Sequence, residues 1–369
     1  VRPILVVFLL AAITCTAAEP DKNANTSAKP RATVGAYYFD GWSGKTDKWH
    51  MTKLLETEYA HRKPVWGWWD NTVEIMQKQI DYAADHDIAF WAFDWYYPEG
   101  PEKQSPLNNA LDLFLKAPNR DRMKFCLLEV NHEGFRIGPK DWDACCRIWI
   151  DLFRQPTYLR VNDKPLLIFF SADELHSAFG GVEGVRKAFE SLRAKAKEAG
   201  LPGVAIATCT QPGEHPELVQ SGYDLLTGYN YSNTWMDGAG SRPFQTMIDA
   251  SRAIFDRFAK TSPLPYVPVV TVGWDRRPWE QGKFPPEKMS GWYPDRTPAL
   301  VEEFVRLGVQ WLDDHADKAT AERLLLLYAW NENGEGGYLT PTEAEGDSYL
   351  KAVQRAVRSQ ASPSKESAK

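Results

Sequence analysis

Residues 324–341 read LLLLYAWNENGEGGYLTP, four leucines and a tyrosine running without a polar break into a segment of amides, carboxylates and glycines. A continuous apolar run of this length fits a strand covered on both faces, as in a parallel sheet with helices on either side. Seven more runs share that character, at 34–39, 88–95, 124–130, 165–170, 204–208, 225–231 and 267–272. Between and after them lie amphipathic stretches at 71–86, 108–116, 140–153, 182–199, 216–221, 244–260, 297–316 and 342–358. In the fourth, Val185, Phe189, Leu192 and Ala196 share one face, and Gly200 follows where a left-handed cap costs glycine little. Eight strands alternating with eight helices predict an α/β fold, a single (β/α)8 TIM barrel over residues 33–358. The competitor is a doubly wound open sheet; the count of eight and the lack of GxGxxG after the first strand favour closure.

The ends have a different composition. Residues 4–18 form an apolar run after Arg2 that closes on Ala17 and Ala18, the pattern of a signal peptide over 1–18. The run is shorter than the roughly 20 residues of a spanning helix, so no membrane span is expected in the mature chain. The expected location is exported, periplasmic or extracellular. Ile13-Thr14 before Cys15 matches a lipoprotein site poorly. Residues 19–32 read as a polar linker and 359–369 as a disordered tail.

Composition narrows the function. With 43 basic and 49 acidic residues the net charge is −6, against a general nucleic-acid binder. The 15 Trp and 15 Tyr exceed the needs of a core, and flat rings with a polar edge suit sugar faces. No cysteine and histidine spacing resembles a zinc site, and Cys126, Cys145, Cys146 and Cys209 read as buried free thiols.

In a barrel the chemistry gathers where strands end. The first two strands place Tyr38, Asp40, Trp42, Asp94, Trp95 and Tyr96 there. The third adds Glu129, Asn131 and His132, the sixth Tyr229 and Asn230, and the seventh Trp274 and Asp275. The eighth adds Trp330 and Asn331 as further candidate substrate contacts, followed by Glu332 and Glu335 as candidate catalytic residues. Glycoside cleavage needs two carboxyl groups across the bond, about 5–5.5 Å apart in retaining enzymes, a separation that two glutamates three apart on one loop can meet. Trp66, Trp68 and Trp69 read as a lid over the mouth or as a sugar subsite. A carboxyl pair also predicts a bell-shaped pH profile with a mildly acidic to neutral optimum.

Six segments together resemble the WbsX-type glycan-processing family, grouped with the endo-α-mannosidases of glycoside hydrolase family 99. They are 35–39 (GAYYF), 88–97 (IAFWAFDWYY), 125–133 (FCLLEVNHE), 158–170 (YLRVNDKPLLIFF), 269–275 (VVTVGWD) and 327–341 (LYAWNENGEGGYLTP). The resemblance implies a (β/α)8 barrel and retaining, endo-acting hydrolysis of an α-linked polysaccharide without a cofactor. It implies that Glu335 is general acid and then base, while Glu332 takes the proton of the sugar's 2-hydroxyl, giving a 1,2-anhydro intermediate. Where the family has Trp and then His or Ala between the glutamates, this chain has Asn333 and Gly334. Losing that Trp removes a flat wall, so mannan specificity is not carried over. The alternatives are a glycosyltransferase of surface-polysaccharide biosynthesis and a non-catalytic glycan-binding barrel.

Overall fold

The structure, a computed structural model, describes residues 28–46, 50–100, 104–232 and 240–359. The segment read as a signal peptide, most of the linker and all but the first residue of the tail lie outside the described residues. Arg31, inside the span read as linker, is anchored: its N–H donates to the Val357 carbonyl at 2.9 Å and its guanidinium pairs with Asp313.

Eight parallel strands make the barrel: β1 Thr33–Tyr38, β2 Ile88–Trp95, β3 Lys124–Glu129, β4 Lys164–Phe169, β5 Ala205–Cys209, β6 Leu225–Thr227, β7 Val269–Thr271 and β8 Leu324–Tyr328. Neighbours run β6-β5-β4-β3-β2-β1-β8-β7. The seam between β6 and β7 closes through the backbone of Leu226, which donates to the Pro265 carbonyl and accepts from the Val267 N–H, both at 2.9 Å. Every run read as a strand is one, and the barrel is the expected fold.

Eight helices cover it: α1 Val73–Asp85, α2 Asn109–Lys116, α3 Pro139–Phe153, α4 Val182–Glu198, α5 Pro216–Ser221, α6 Phe244–Thr261, α7 Pro298–Asp314 and α8 Ser348–Arg358. Thr72 and Thr297 cap α1 and α7, each hydroxyl accepting from a backbone N–H of the first turn. A further helix, Ala172–Phe179, precedes α4 where the sequence reading has a loop; Ser171 caps it and Gly180 ends it at positive φ. The last helix starts at Ser348 and not at Thr342, because Thr342 and Gly346 close a turn on each other first.

Strand register decides which side chains face inward. Asp94, Leu128 and Ile168 stand level on β2, β3 and β4, and so do Trp95, Glu129 and Phe169 one residue later. The rings of Trp95 and Phe169 pack on Trp149 of α3, so the second row points out to the helix layer. Successive strand residues face opposite ways, which turns the Asp94 row inward.

Among the described residues, no helix is long and apolar enough to cross a membrane, and no cluster of His, Cys, Asp and Glu could hold a metal ion.

Candidate active site

Beyond β8 the chain passes Trp330 and folds into a small hairpin in which Asn331–Glu332 pairs antiparallel with Gly337–Tyr338. Its turn closes at Gly336, whose φ of +76° suits glycine. The Asn331 amide clamps the end of β1, accepting from the Phe39 N–H at 2.8 Å and donating to the Phe39 carbonyl at 2.7 Å. Asn333 pins the other side, donating to the Arg62 carbonyl at 2.9 Å. The hairpin thus fixes both glutamates over the barrel mouth.

Glu332 and Glu335 line one cavity of about 300 Å³ together with Asp94, Tyr96, His132 and Tyr229. All six were expected from strand ends. Phe39, His50, Leu107, Val130, Phe135, Phe170 and Trp279 complete its walls and were not foreseen as contacts. His50 comes from the long loop after β1, and Trp279 from a four-residue helix, Arg277–Glu280; neither sits at a strand end. Burial pushes the His50 imidazole down to about 4, so at neutral pH it is an uncharged wall.

The carboxylates are wired through tyrosines. The Tyr229 hydroxyl lies 2.8 Å from Asp94 Oδ2 and 3.0 Å from Glu332 Oε1. A hydroxyl has one proton to give, so both contacts are full hydrogen bonds only when one of these carboxyls carries a proton of its own. Burial raises the Glu332 pKa well above the usual glutamate range, and the charges of Glu335 and Asp94 raise it further. Burial raises Asp94 as well. Glu335 is also raised by burial, but Arg276 and the Tyr328 hydroxyl pull it back. Arg276 Nε stands 3.1 Å from Glu335 Oε1, and Tyr328 donates to the other oxygen. Of the two glutamates, Glu335 is therefore the one better held as an anion.

Several expected contacts serve the scaffold instead. Tyr38 points away from the cavity, its hydroxyl within hydrogen-bond distance of Asp70 and Gln79, and Trp330 is in the core with its indole on Gln79. Asp40 accepts from the Ala110 N–H at the start of α2. Trp42 donates to the Asn331 carbonyl at 2.8 Å, and Asn131 ties to Ser171. Trp95 and Glu129 belong to the outward row, so they lie behind the barrel wall; Glu129 is wholly buried with both carboxyl oxygens lacking a partner. Asn230 is half-buried beside Tyr229 and is not part of the wall. Trp274 and Asp275 line a second cavity on the far side of the hairpin. None of the tryptophans at 66, 68 and 69 lines the cavity: Trp66 packs near Tyr82, Trp68 near Trp42, and Trp69 is 45% exposed.

The flat wall expected to be missing is supplied from elsewhere. A Cβ built on Gly334 would fall 2.0 Å from the Trp279 indole, so that ring rests directly on the glycine. The indole N–H donates to the His50 carbonyl at 2.9 Å, and the ring faces Phe39 and His50.

A solved structure described as a glycoside hydrolase-like protein superposes with a TM-score of 0.62 at 14% identity, over 90% of this chain and 96% of the other. The GH99 endo-alpha-mannosidase from Bacteroides thetaiotaomicron superposes at 0.56 with 15% identity, over 88% and 96%. These likenesses show the shared fold. The uncharacterized protein WxcX of Xanthomonas campestris pv. campestris (strain B100) is 24% identical over 90% of this chain, which spans about half, 51%, of that relative's length. The family described as Glycosyltransferase WbsX matches over residues 40–353, from the first turn beyond β1 into α8, and the chain belongs to that family.

Proposed function

We propose that the protein is an exported, retaining, endo-acting α-glycoside hydrolase that cleaves a complex polysaccharide with Glu332 and Glu335. The observation that carries the reading is the pair itself: two carboxyls raised by burial on one hairpin, each with a tyrosine hydroxyl, facing one aromatic-walled cavity. In the first step the sugar's 2-hydroxyl oxygen attacks C1 as Glu332 takes its proton and Glu335 protonates the departing glycosidic oxygen. In the second, water attacks C1 of the 1,2-anhydro sugar as Glu335 takes the water's proton and Glu332 returns its proton to O2. This order of roles follows the family resemblance. It asks Glu335 to start protonated, which burial favours and the Arg276 charge opposes.

The test is a screen of the purified protein against plant, algal and microbial polysaccharides, reading product size by chromatography. Oligosaccharide products are expected, with Glu335→Gln folded and without turnover. Near-normal turnover by that variant removes Glu335 from the mechanism. The family's description favours one other reading, a glycosyltransferase. Sugar transfer from an activated donor, with no hydrolysis of any polysaccharide, establishes it in place of the first.

A further inference from the structure

Behind the hairpin lies the second cavity, about 210 Å³; Glu335 lines the first and its neighbour Gly336 the second, so the hairpin is a partition between them. The Asp275 N–H donates to the Glu335 carbonyl across that partition at 2.5 Å. Three guanidinium groups line the cavity, those of Arg62, Arg277 and Arg296, against two carboxylates, Asp275 and Glu345. Asp275 is shared by Arg62 Nη2 at 2.5 Å and Arg277 Nε at 2.8 Å. Glu345 accepts from the Tyr338 and Tyr349 hydroxyls at 3.2 and 3.3 Å.

Arg296 is left over. Its guanidinium is sandwiched between the rings of Tyr338 and Tyr349, at 4.2 and 3.8 Å from their centroids, and Nη1 donates to the Gly336 carbonyl at 2.9 Å. Among the described residues no carboxylate comes within ion-pair distance of it, and Nη2 is buried without a hydrogen-bond partner. The charge of Glu345, itself held by the two tyrosine hydroxyls, supports this cation from outside ion-pair distance, so the guanidinium is only partly compensated and a ligand anion would complete the pairing. One charge in excess fits a monoanion better than a dianion. A planar guanidinium fork matches a carboxylate, and the Trp274 and Tyr293 rings that also line the cavity suit a sugar face. The volume suits a single sugar residue more than a chain, being below the usual range for drug-sized ligands.

We propose that this cavity is a subsite for the carboxylate of a hexuronic acid, so that the polysaccharide handled at Glu332 and Glu335 is an acidic one. The second half of the statement rests on the glycosidase reading; the first does not. Binding is measured by calorimetry on the full chain at fixed ionic strength, with sodium glucuronate, glucose and sodium phosphate as probes. Glucuronate binds saturably and glucose does not; Arg296→Gln weakens glucuronate binding tenfold or more, and Arg277→Gln weakens it severalfold. Phosphate binding as tight as glucuronate overturns the sugar-acid assignment, and so does glucose binding as tight as glucuronate. Absence of glucuronate binding to the unmodified protein, or unchanged affinity in Arg296→Gln, overturns the subsite. If Arg296→Gln does not fold, unchanged affinity in Arg277→Gln does so instead. Glu335→Gln keeps its glucuronate affinity, so a failure of the hydrolase reading shows in turnover and leaves the subsite result standing.

Discussion

Gly334→Ala is a one-methyl test of the wall that Trp279 builds. The added Cβ would meet Trp279 Cε2 at 2.0 Å, Cζ2 at 2.1 Å and Nε1 at 2.4 Å. Carbon–carbon contact is comfortable near 3.5 Å, so the ring has to retreat by roughly 1.5 Å. It cannot do so freely, because its N–H is committed to the His50 carbonyl and its far side faces Phe39 and His50. Overpacking costs about 1–3 kcal/mol, and a broken hydrogen bond adds about 0.5–1.5 kcal/mol. Against this, Gly334 does not have a positive φ, so alanine also removes unfolded-chain entropy worth about 0.4–1 kcal/mol. The expected net loss is roughly 1–3 kcal/mol, read as a lower denaturation midpoint, with a raised KM on whichever polysaccharide the screen identifies. The double variant Gly334→Ala/Trp279→Ala should lose less than the sum of the single changes, since the collision is gone. An unchanged midpoint and KM in Gly334→Ala, or strict additivity in the double variant, refutes the contact.

Arg276→Gln separates the roles of the glutamates. Arg276 lowers the Glu335 pKa, so its loss raises it. If Glu335 is the acid, the alkaline limb of the pH–rate profile moves up; if it is the base, the acidic limb moves instead. Tyr229→Phe removes the hydroxyl that holds Glu332 down, so the Glu332 pKa should rise further and kcat fall, at a cost of about 1–3 kcal/mol in the unfolding midpoint as buried Asp94 and Glu332 oxygens lose their partner; an unaltered pH profile argues against a role for this hydroxyl in setting the Glu332 pKa. Asn331→Ala leaves the Phe39 N–H and carbonyl without their partners and should cost about 1–3 kcal/mol in the unfolding midpoint, with a loss of turnover as the hairpin loosens. A stable, fully active variant removes Asn331 from the clamp.

Most of the fold was legible because every barrel strand is an apolar run and nearly every helix carries a stripe. The elements that escaped are the short ones. The Ala172–Phe179 helix has a Ser171 cap, a Gly180 stop and an Ala172, Leu175, Phe179 stripe, but only two turns of it, and the Arg277–Glu280 helix that carries Trp279 is a single turn within a long loop. The walls given by His50 and Trp279 come from such loops, where contacts distant in sequence and not local periodicity set the position. Polar residues at strand ends were read as rim residues as a class. Asp40, Asn131 and Asn331 show why that overcounts: a short polar side chain beside chain ends also satisfies backbone groups there, and those bonds are local to the fold.

Glu129 shows the sharper limit. Asp94 and Glu129 both close apolar strands, both are wholly buried, and composition does not tell them apart. The pleat does: a shift of one residue along the strand moves a side chain from the barrel lumen to the helix layer. Asp94 falls in the inward row and meets Tyr229; Glu129 falls in the outward row and meets nothing polar. Burial raises the Glu129 pKa well above its unfolded value. Folding therefore holds a proton that the unfolded chain releases, and stability falls as pH rises from the ordinary glutamate pKa toward the raised one. Glu129→Gln removes this group's share of that slope, while a carboxylate engaged with solvent or ligand would contribute no such slope. Stability followed against pH from 5 to 9 should be flatter in Glu129→Gln than in the unmodified protein, with turnover kept. Parallel curves, or a variant that folds but does not turn over, would return Glu129 to the cavity side and undo the assignment of the two rows.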